Sequence, residues 1–181
     1  CGASNEEKLM AYFTGKRAAI TGAGSGMGRA LARQLNEAGC ELWLSDFNEA
    51  GLGETVASLN ERAAPVYQKR VDVADREAVE SWAEEVAATV PSLELMVNNA
   101  GVAFSGLVRD MSYEDFHWVM DIDFWGVVHG SKAFLPLLEK AEKSHLVNTS
   151  SVFGMISVPS QSAYNSAKFA VRGFTEALRQ E

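Results

Sequence analysis

KRAAITGAGSGMGRALARQLNEAG, residues 16–39, decides how the rest of the chain is read. Lys16 to Thr21 is a short β-like run. Gly22-Ala23-Gly24-Ser25-Gly26-Met27-Gly28 follows, then Arg29 to Ala38 with helical periodicity, and Gly39 supplies a stop. Placed between a strand and a helix, such glycines have a use. Backbone N–H groups at the helix start can face a pyrophosphate, and the missing side chains let it approach. The spacing is not G-x-G-x-x-G, because Met27 stands where its third glycine belongs. It is T-G-x-x-x-G-x-G, through Thr21, Gly22, Gly26 and Gly28. A flexible loop is the plain alternative; the flanking strand and helix favour a dinucleotide.

Working outward, Glu41 to Asp46 reads as a second strand ending in an acid, eighteen residues past Gly28. A carboxylate there can accept from both adenosine ribose hydroxyls and repels a 2′-phosphate. Neither Ser25 nor Phe47 brings a basic side chain, and Arg29 lies inside the helix start with a structural role. NAD is therefore favoured over NADP. The plain alternative makes Asp46 the cap of a helix beginning near Asn48. That second helix spans Ala50 to Arg62, and a third strand Val66 to Val71. Asp72-Val73 then sits where an adenine edge could be met, unless Asp72-Val73-Ala74-Asp75 only caps the helix at Arg76 to Thr89. Leu93 to Val97 is a fourth strand, ending in Asn98-Asn99-Ala100-Gly101. Side-chain amides there can bridge strands, and Ala100-Gly101 leaves room for a flat ligand; an ordinary turn would use the same residue types.

Ser112 to Lys143 is mostly helical, with Pro136 near its end. Its aromatics Phe116, Trp118, Phe124, Trp125 and Phe134 suit a core or a subunit interface. His145 to Ser151 is the fifth strand, and Ala163 to Glu181 the last helix. On that helix Tyr164 and Lys168 stand four apart, hence on one face. A free phenol ionises near about 10, and a neighbouring ammonium favours the phenolate, which makes a tyrosine usable as a base near neutrality. Ser151, thirteen residues before Tyr164, can aim a hydroxyl from its strand end at the same reacting group. Taken alone, most Tyr-x-x-x-Lys pairs are surface neighbours.

The 181 residues suit one domain, read as an N-terminal extension (1–15) and a catalytic and dinucleotide-binding domain (16–181). A formal charge of -8 argues against nucleic acid or an anionic membrane as partner. Cys1 and Cys40 belong to no motif, which suggests a reducing compartment. No apolar run reaches membrane-spanning length, and residues 1–10 lack the regions of a signal peptide, so a cytoplasmic protein is expected. The chain opens on Cys1, as trimming or a removed lipoprotein signal would leave it; Met10 is a candidate natural start. His117, His129 and His145 have no partner at metal-ligand spacing, and no metal is expected. Five strand–helix alternations imply an α/β fold: a doubly wound parallel sheet of Rossmann type, three layers αβα, with a ligand crevice at the carboxyl ends of the strands. Gly22 to Gly28, Asp46, Asp72, Asn99 and Ser151 all fall at those ends.

From Lys16 to Glu181 the sequence resembles the short-chain dehydrogenase/reductase family, in its single-domain branch of about 250 residues. The likeness rests on TGAGSGMG at 21–28, Asp46, Asp72-Val73, NNAG at 98–101, and Ser151 with Tyr164-x-x-x-Lys168. It implies reversible hydride transfer between a secondary alcohol and a ketone with NAD. Tyr164 would be the acid/base, Ser151 would hydrogen-bond the reacting oxygen, and Lys168 would acidify the tyrosine and bind the nicotinamide ribose. The implied cofactor residues are Gly22, Ser25, Gly26, Met27, Gly28, Asp46, Phe47, Asp72, Val73, Asn99, Ala100 and Gly101, with Tyr164 and Lys168. The sheet order would be 3-2-1-4-5, and the long and last helices would pair with their copies in a homodimer or homotetramer.

Two departures stand out. The family's fourth catalytic position is an asparagine, and here Asp123 occupies it, within Asp121 to Gly126. That residue helps hold a water in a proton relay to the lysine, partly through its main-chain carbonyl, which an aspartate keeps. The family also continues past the last helix with two strands, a substrate-binding segment and a nicotinamide loop. The expectation is a longer natural chain, with a protein cut at Glu181 poorly soluble and inactive while still recognising adenosine. Val102 to Val108 and Val152 to Ser162 would line part of an apolar pocket. The competing reading is a non-catalytic dinucleotide-binding or scaffold protein on the same fold. An epimerase or dehydratase on a related fold fits less well, given the short first half and the serine spacing.

Overall fold

In the computed structural model, residues 11–60 and 64–181 are described. Five short strands form one parallel sheet: β1 (Arg17–Thr21), β2 (Glu41–Asp46), β3 (Val66–Arg70), β4 (Leu95–Asn98) and β5 (His145–Asn148), in the order β3-β2-β1-β4-β5. Ala19 lies opposite Trp43 and Met96, and Ile20 opposite Leu44 and Val97. Successive residues of a strand point to opposite faces, and both faces of this sheet are covered, so the central strands are apolar in their middles. On one face Ile20, Leu42 and Leu44 pack with Ala32 and Leu35 of helix α1 (Gly26–Glu37) and Leu52 of α2 (Glu49–Ala57). On the other, Ala19, Trp43 and Met96 pack with Trp82 and Val86 of α3 (Arg76–Thr89) and Phe134 of α5 (Gly126–Leu138). The layers are those of the expected doubly wound sheet.

Helix α4 (Tyr113–Met120) runs through a π-helical turn (Asp121–Trp125) into α5. The last helix, α6 (Ser162–Leu178), packs on α4, on that turn and on a short 3-10 turn (Val152–Gly154). Val119, Ala163 and Ala167 make a third small core beneath Tyr164.

Several boundaries differ from the sequence reading. Helix α1 starts at Gly26, three residues before Arg29, because Ser25 is fully extended and the first turn closes directly after it. Strand β4 starts at Leu95; Leu93 is buried and its N–H bonds Leu137 O instead of a strand. The long helix ends at Leu138, short of Lys143, and α2 ends at Ala57, with residues 61–63 outside the described residues. The readings that concern Cys1, Met10 and a leader also fall outside them. Of residues 11–15, Phe13 packs on the α1 face of the sheet and Thr14 Oγ1 donates to Ala38 O. Cys40 is buried, and burial, then Glu94 and Glu41, push its thiol up to about 12, which makes it an inert core residue. Among the described residues no helix is long and apolar enough to cross a membrane, and no cluster could hold a metal ion.

Candidate functional site

The glycine loop is shaped by close approaches. Gly22 has φ +67, and a Cβ on it would stand 2.7 Å from Ala100 Cα. Gly28 is buried beneath the loop, where a Cβ would reach 2.1 Å from Gly22 O. Thr21 Oγ1 accepts from the N–H groups of Asn99 and Ala100 (3.0 and 3.1 Å), and Asn99 Nδ2 donates to Thr21 O and Gly22 O, both 3.1 Å. One asparagine thus ties the loop to the end of β4. Its neighbour Asn98 bridges strands: Nδ2 donates to Asn148 Oδ1 (2.8 Å) and Ser131 Oγ (3.1 Å).

Asp46 does not cap α2. Asn48 does, accepting from Gly51 N–H at 3.2 Å. The Asp46 carboxylate accepts from Gly24 N–H and from Asn48 N–H, each 2.8 Å, one on each oxygen. Each oxygen keeps a lone pair for a further donor. Arg29 is held by Thr55 Oγ1 (2.9 Å), Gly51 O, Glu54 and Gly24 O, a structural clamp between the loop and α2. Asp72 accepts from Ala74 N–H (3.0 Å), while Asp75 caps α3.

These residues surround one cleft of about 520 Å³ at the carboxyl ends of the strands. Gly22, Ser25, Gly26, Met27, Asp46, Phe47, Asp72, Val73, Asn99, Ala100 and Gly101 all line it. Sequence reasoning missed Trp118, Asp121 and Ile122, which close its far side. Trp118 comes from α4, and Asp121 and Ile122 from the π-helical turn, which leaves no trace in a 3.6-residue pattern. It also missed Arg70, which is paired with Asp46 in register, stacks 4.6 Å over the Phe47 ring and donates to Phe47 O.

Gly28, Asp123, Ser151, Tyr164 and Lys168 are not on the cleft wall. Gly101 joins the two parts: it lines the cleft, and a Cβ on it would stand 3.3 Å from Asp123 Oδ1 and 3.5 Å from Lys168 Nζ. Ser151 Oγ accepts from Phe153 N–H at 3.2 Å, so it caps the 3-10 turn and keeps its own O–H to donate. Ser150 is committed elsewhere, to Lys168 O. Tyr164 meets the Phe153 ring edge-on, and Lys168 Nζ lies 5.5 Å from the Tyr164 ring centre. The Lys168 ammonium is 4% exposed and makes two contacts, Thr149 O at 3.1 Å and Asp123 Oδ2 at 3.0 Å. Asp123 is fully buried, and its Oδ1 accepts from Val102 N–H at 2.7 Å. Burial pushes the Asp123 carboxyl above its ordinary range, against the pull of Lys168 and the Val102 N–H.

The residues present fit a dinucleotide. The first N–H groups of α1 have no partner within the helix, and a Cβ on Gly26 would meet open space. An acid with lone pairs to spare stands at the end of β2, and Ala100-Gly101 opens a flat gap beside Lys168.

A doubly wound sheet with a glycine loop, a strand-end acid and a Ser/Tyr/Lys edge defines a Rossmann-type dinucleotide-binding domain. The chain belongs to the short chain dehydrogenase family, whose model matches residues 16–181. It is 53% identical over 172 residues to the oxidoreductase SadH of Mycobacterium tuberculosis, an alignment covering 95% of this chain and 62% of that protein. A short-chain dehydrogenase/reductase from Burkholderia phymatum, solved with NAD, superimposes with a TM-score of 0.87 at 41% identity, covering 92% of this chain and 59% of that one. An alcohol dehydrogenase from Thermococcus sibiricus, solved with 5-hydroxy-NADP, superimposes with a TM-score of 0.84 at 29% identity, over 91% and 70% of the two chains. The chain spans about three fifths of the length of the first two.

Proposed function

We propose that the protein is an NAD-dependent oxidoreductase that interconverts a secondary alcohol and a ketone, with Tyr164 as acid/base. The observation that carries this reading is the junction at Gly101, where the dinucleotide cleft meets Lys168 one helical turn from Tyr164. Bound at the cleft, the nicotinamide supplies the hydride chemistry. In the oxidative direction Tyr164 takes the hydroxyl proton, and the nearby ammonium favours the phenolate that does so. Ser151 donates its free O–H to the same oxygen and steadies its developing charge. Lys168 has three N–H donors; one bonds Thr149 O and the ammonium faces Asp123 by charge, which leaves a donor for a ribose hydroxyl. Asp123 belongs with the catalytic group through Lys168. The loop 102–108 and the segment 152–162, with exposed Val152, Met155 and Ile156, offer an apolar wall to the substrate.

NAD is favoured because the Asp46 carboxylate at the end of β2 would repel a 2′-phosphate, and Arg70, which would offset it, is tied to Phe47. Trp125 and Phe169 stay exposed on the long-helix segment and α6, which supports a homodimer or homotetramer. Light scattering on the full natural chain tests this, and a monomer at micromolar concentration would count against it. A cytoplasmic location accords with the sparse cysteines. The mechanism is tested by Tyr164→Phe: turnover of a panel of secondary alcohols with NAD falls by about 10²–10⁴-fold while NADH binding, followed by fluorescence, is retained. The pairing of Lys168 with Asp123 speaks for the second reading, a dinucleotide-binding protein without catalysis. In that case NADH binds, and neither Tyr164 nor Phe at 164 gives turnover.

A further inference from the structure

We propose that Asp123 is a positioning residue that holds the Lys168 ammonium in a buried ion pair and so weakens the pull of that charge on Tyr164. The proposal rests on the reading of Tyr164 as the base. Its own support is the geometry of the pair. Lys168 Nζ is 3.0 Å from Asp123 Oδ2, at 4% and 0% exposure, so water screens neither group. Asp123 is itself fixed, since Oδ1 accepts from Val102 N–H at 2.7 Å. Thr149 O accepts a Lys168 proton at 3.1 Å. Gly101 stands beside the pair, where a Cβ would come 3.3 Å from Asp123 Oδ1 and within ordinary contact of Lys168 Nζ.

An ammonium alone presents a full positive charge to the phenol. The same ammonium against a carboxylate presents a dipole, whose influence falls off faster with distance. The Tyr164 ring centre is 5.5 Å away, far enough for the difference to count. No other charge in the packing makes it up. Helix α4 carries Glu114 and His117, both exposed, and Asp115, bonded to Ser112. On α5, His129 contacts Val73 O and Lys132 is exposed; on α6, Arg172 pairs with Glu176. Asp121 of the π-helical turn faces the cleft, Arg109 pairs with Asp110 in the loop before α4, and the 3-10 turn has no titratable side chain. Among the described residues, Asp123 is therefore the charge that decides how much of Lys168 the phenol feels.

The test is Asp123→Asn in the full natural chain, which keeps the acceptor for Val102 N–H and removes only the charge. Phenolate formation is followed by ultraviolet difference absorbance against pH, with Tyr164→Phe subtracting the other tyrosines. The Tyr164 midpoint is expected to fall by about one pH unit, a roughly tenfold gain in phenolate on the acid side. A midpoint that stays or rises overturns the proposal. If Asp123→Asn does not fold, Asp123→Ser, smaller and equally uncharged, is read in the same way. Turnover retained by Tyr164→Phe would end the base reading alone, whereas an unmoved midpoint beside an inactive Tyr164→Phe would end only the role of Asp123.

Discussion

The two ends of the sheet each carry a buried carboxylate paired with a cation, and the two are built differently. At the amino ends of the strands, Arg17 holds Glu94 through both guanidinium and backbone. Nε donates to Oε2 at 3.1 Å, a terminal nitrogen to Oε1 at 2.6 Å, and the backbone N–H to Oε2 at 2.9 Å, while Ser92 takes one further guanidinium proton. At the carboxyl ends, Asp123 has one good hydrogen bond, from Val102, and its other oxygen meets Lys168 by charge without a well-aligned bond. The carboxyl groups respond in opposite directions. Burial would raise Glu94, but the Arg17 bonds outweigh it and hold the group below its ordinary value; burial raises Asp123 and its partners only partly offset it. A forked, fully bonded pair is a finished staple. A point charge beside a half-satisfied acid is one whose partner still has a proton to offer a ligand.

Removing the cation at each end breaks this comparison most sharply. Lys168→Met leaves Asp123 buried with only the Val102 N–H, and should cost about 3–5 kcal/mol in urea unfolding near neutral pH. Arg17→Met should cost less, because the Arg17 side chain is 20% exposed and water can reach Glu94 in its place. The pH dependence separates them further. In Lys168→Met the folded Asp123 carboxyl lies above its unfolded value, so its penalty is absent below about pH 4 and grows as pH rises from there. In the parent protein the depressed Glu94 contributes stability above its unfolded value, near about 4.3, which is lost as pH falls through the folded value. A Lys168→Met deficit that is flat in pH, or smaller than that of Arg17→Met, would mean that the catalytic-end pair is no buried charge pair at all.

The cofactor half of the carboxyl edge gives the next largest effect. Asp46→Ala removes the proposed acceptor for ribose hydroxyls and the anchor of Gly24 and Asn48. Hydrogen bonds to a charged group are worth about 1.5–3 kcal/mol, so kcat/KM with NAD should fall by about 10–100-fold. Efficiency with NADP should fall less or rise, since the repelling charge is gone and Arg70 stands in register beside the site. Equal losses with both cofactors would mean that Asp46 only holds the loop. Gly26→Ala is expected to be milder, about 1 kcal/mol of stability: φ is +51 there but a Cβ meets nothing within 4 Å.

What the sequence reveals differs between the same two regions. Around the glycine loop the information is local. Thr21, Gly22, Gly26 and Gly28 fall within eight residues, and Asp46 ends the adjacent strand, so the order of residue types along the chain nearly lays out the loop and its strand-end acid. All five strands were legible because strand and helix patterns alternate cleanly, and the sheet order came from the family resemblance. At the proposed catalytic end the sequence names the candidate residues and not their contacts. Tyr164 and Lys168 share a helix face, but Asp123 reaches Lys168 from 45 residues earlier through a π-helical turn. Thr149 enters by its carbonyl and Val102 by its N–H, atoms that every residue has and no motif marks. Arg70 escaped notice because a strand register, unlike a spacing, is fixed only when the sheet forms.

The smallest effect sharpens the contrast from within α6. Arg172 stands one turn past Lys168, on the same face of the helix, and pairs with Glu176 at 2.8 Å, with both side chains half or more exposed. By residue type and spacing it is a second cation in line with Tyr164 and Lys168. By environment it is a surface i,i+4 pair, worth at most about 0.5 kcal/mol, with its field screened by water and salt. Arg172→Gln should therefore leave urea stability within about 0.5 kcal/mol and the pH dependence of NAD-linked turnover in place. If removing Arg172 moved the pH dependence as far as removing the charge of Asp123, the tyrosine would be answering to the general field of α6. A result confined to Asp123 would tie its behaviour to a contact of 3.0 Å inside the protein. The difference between the two cations is burial, because at equal formal charge only the group that water cannot reach acts at full strength on its neighbour.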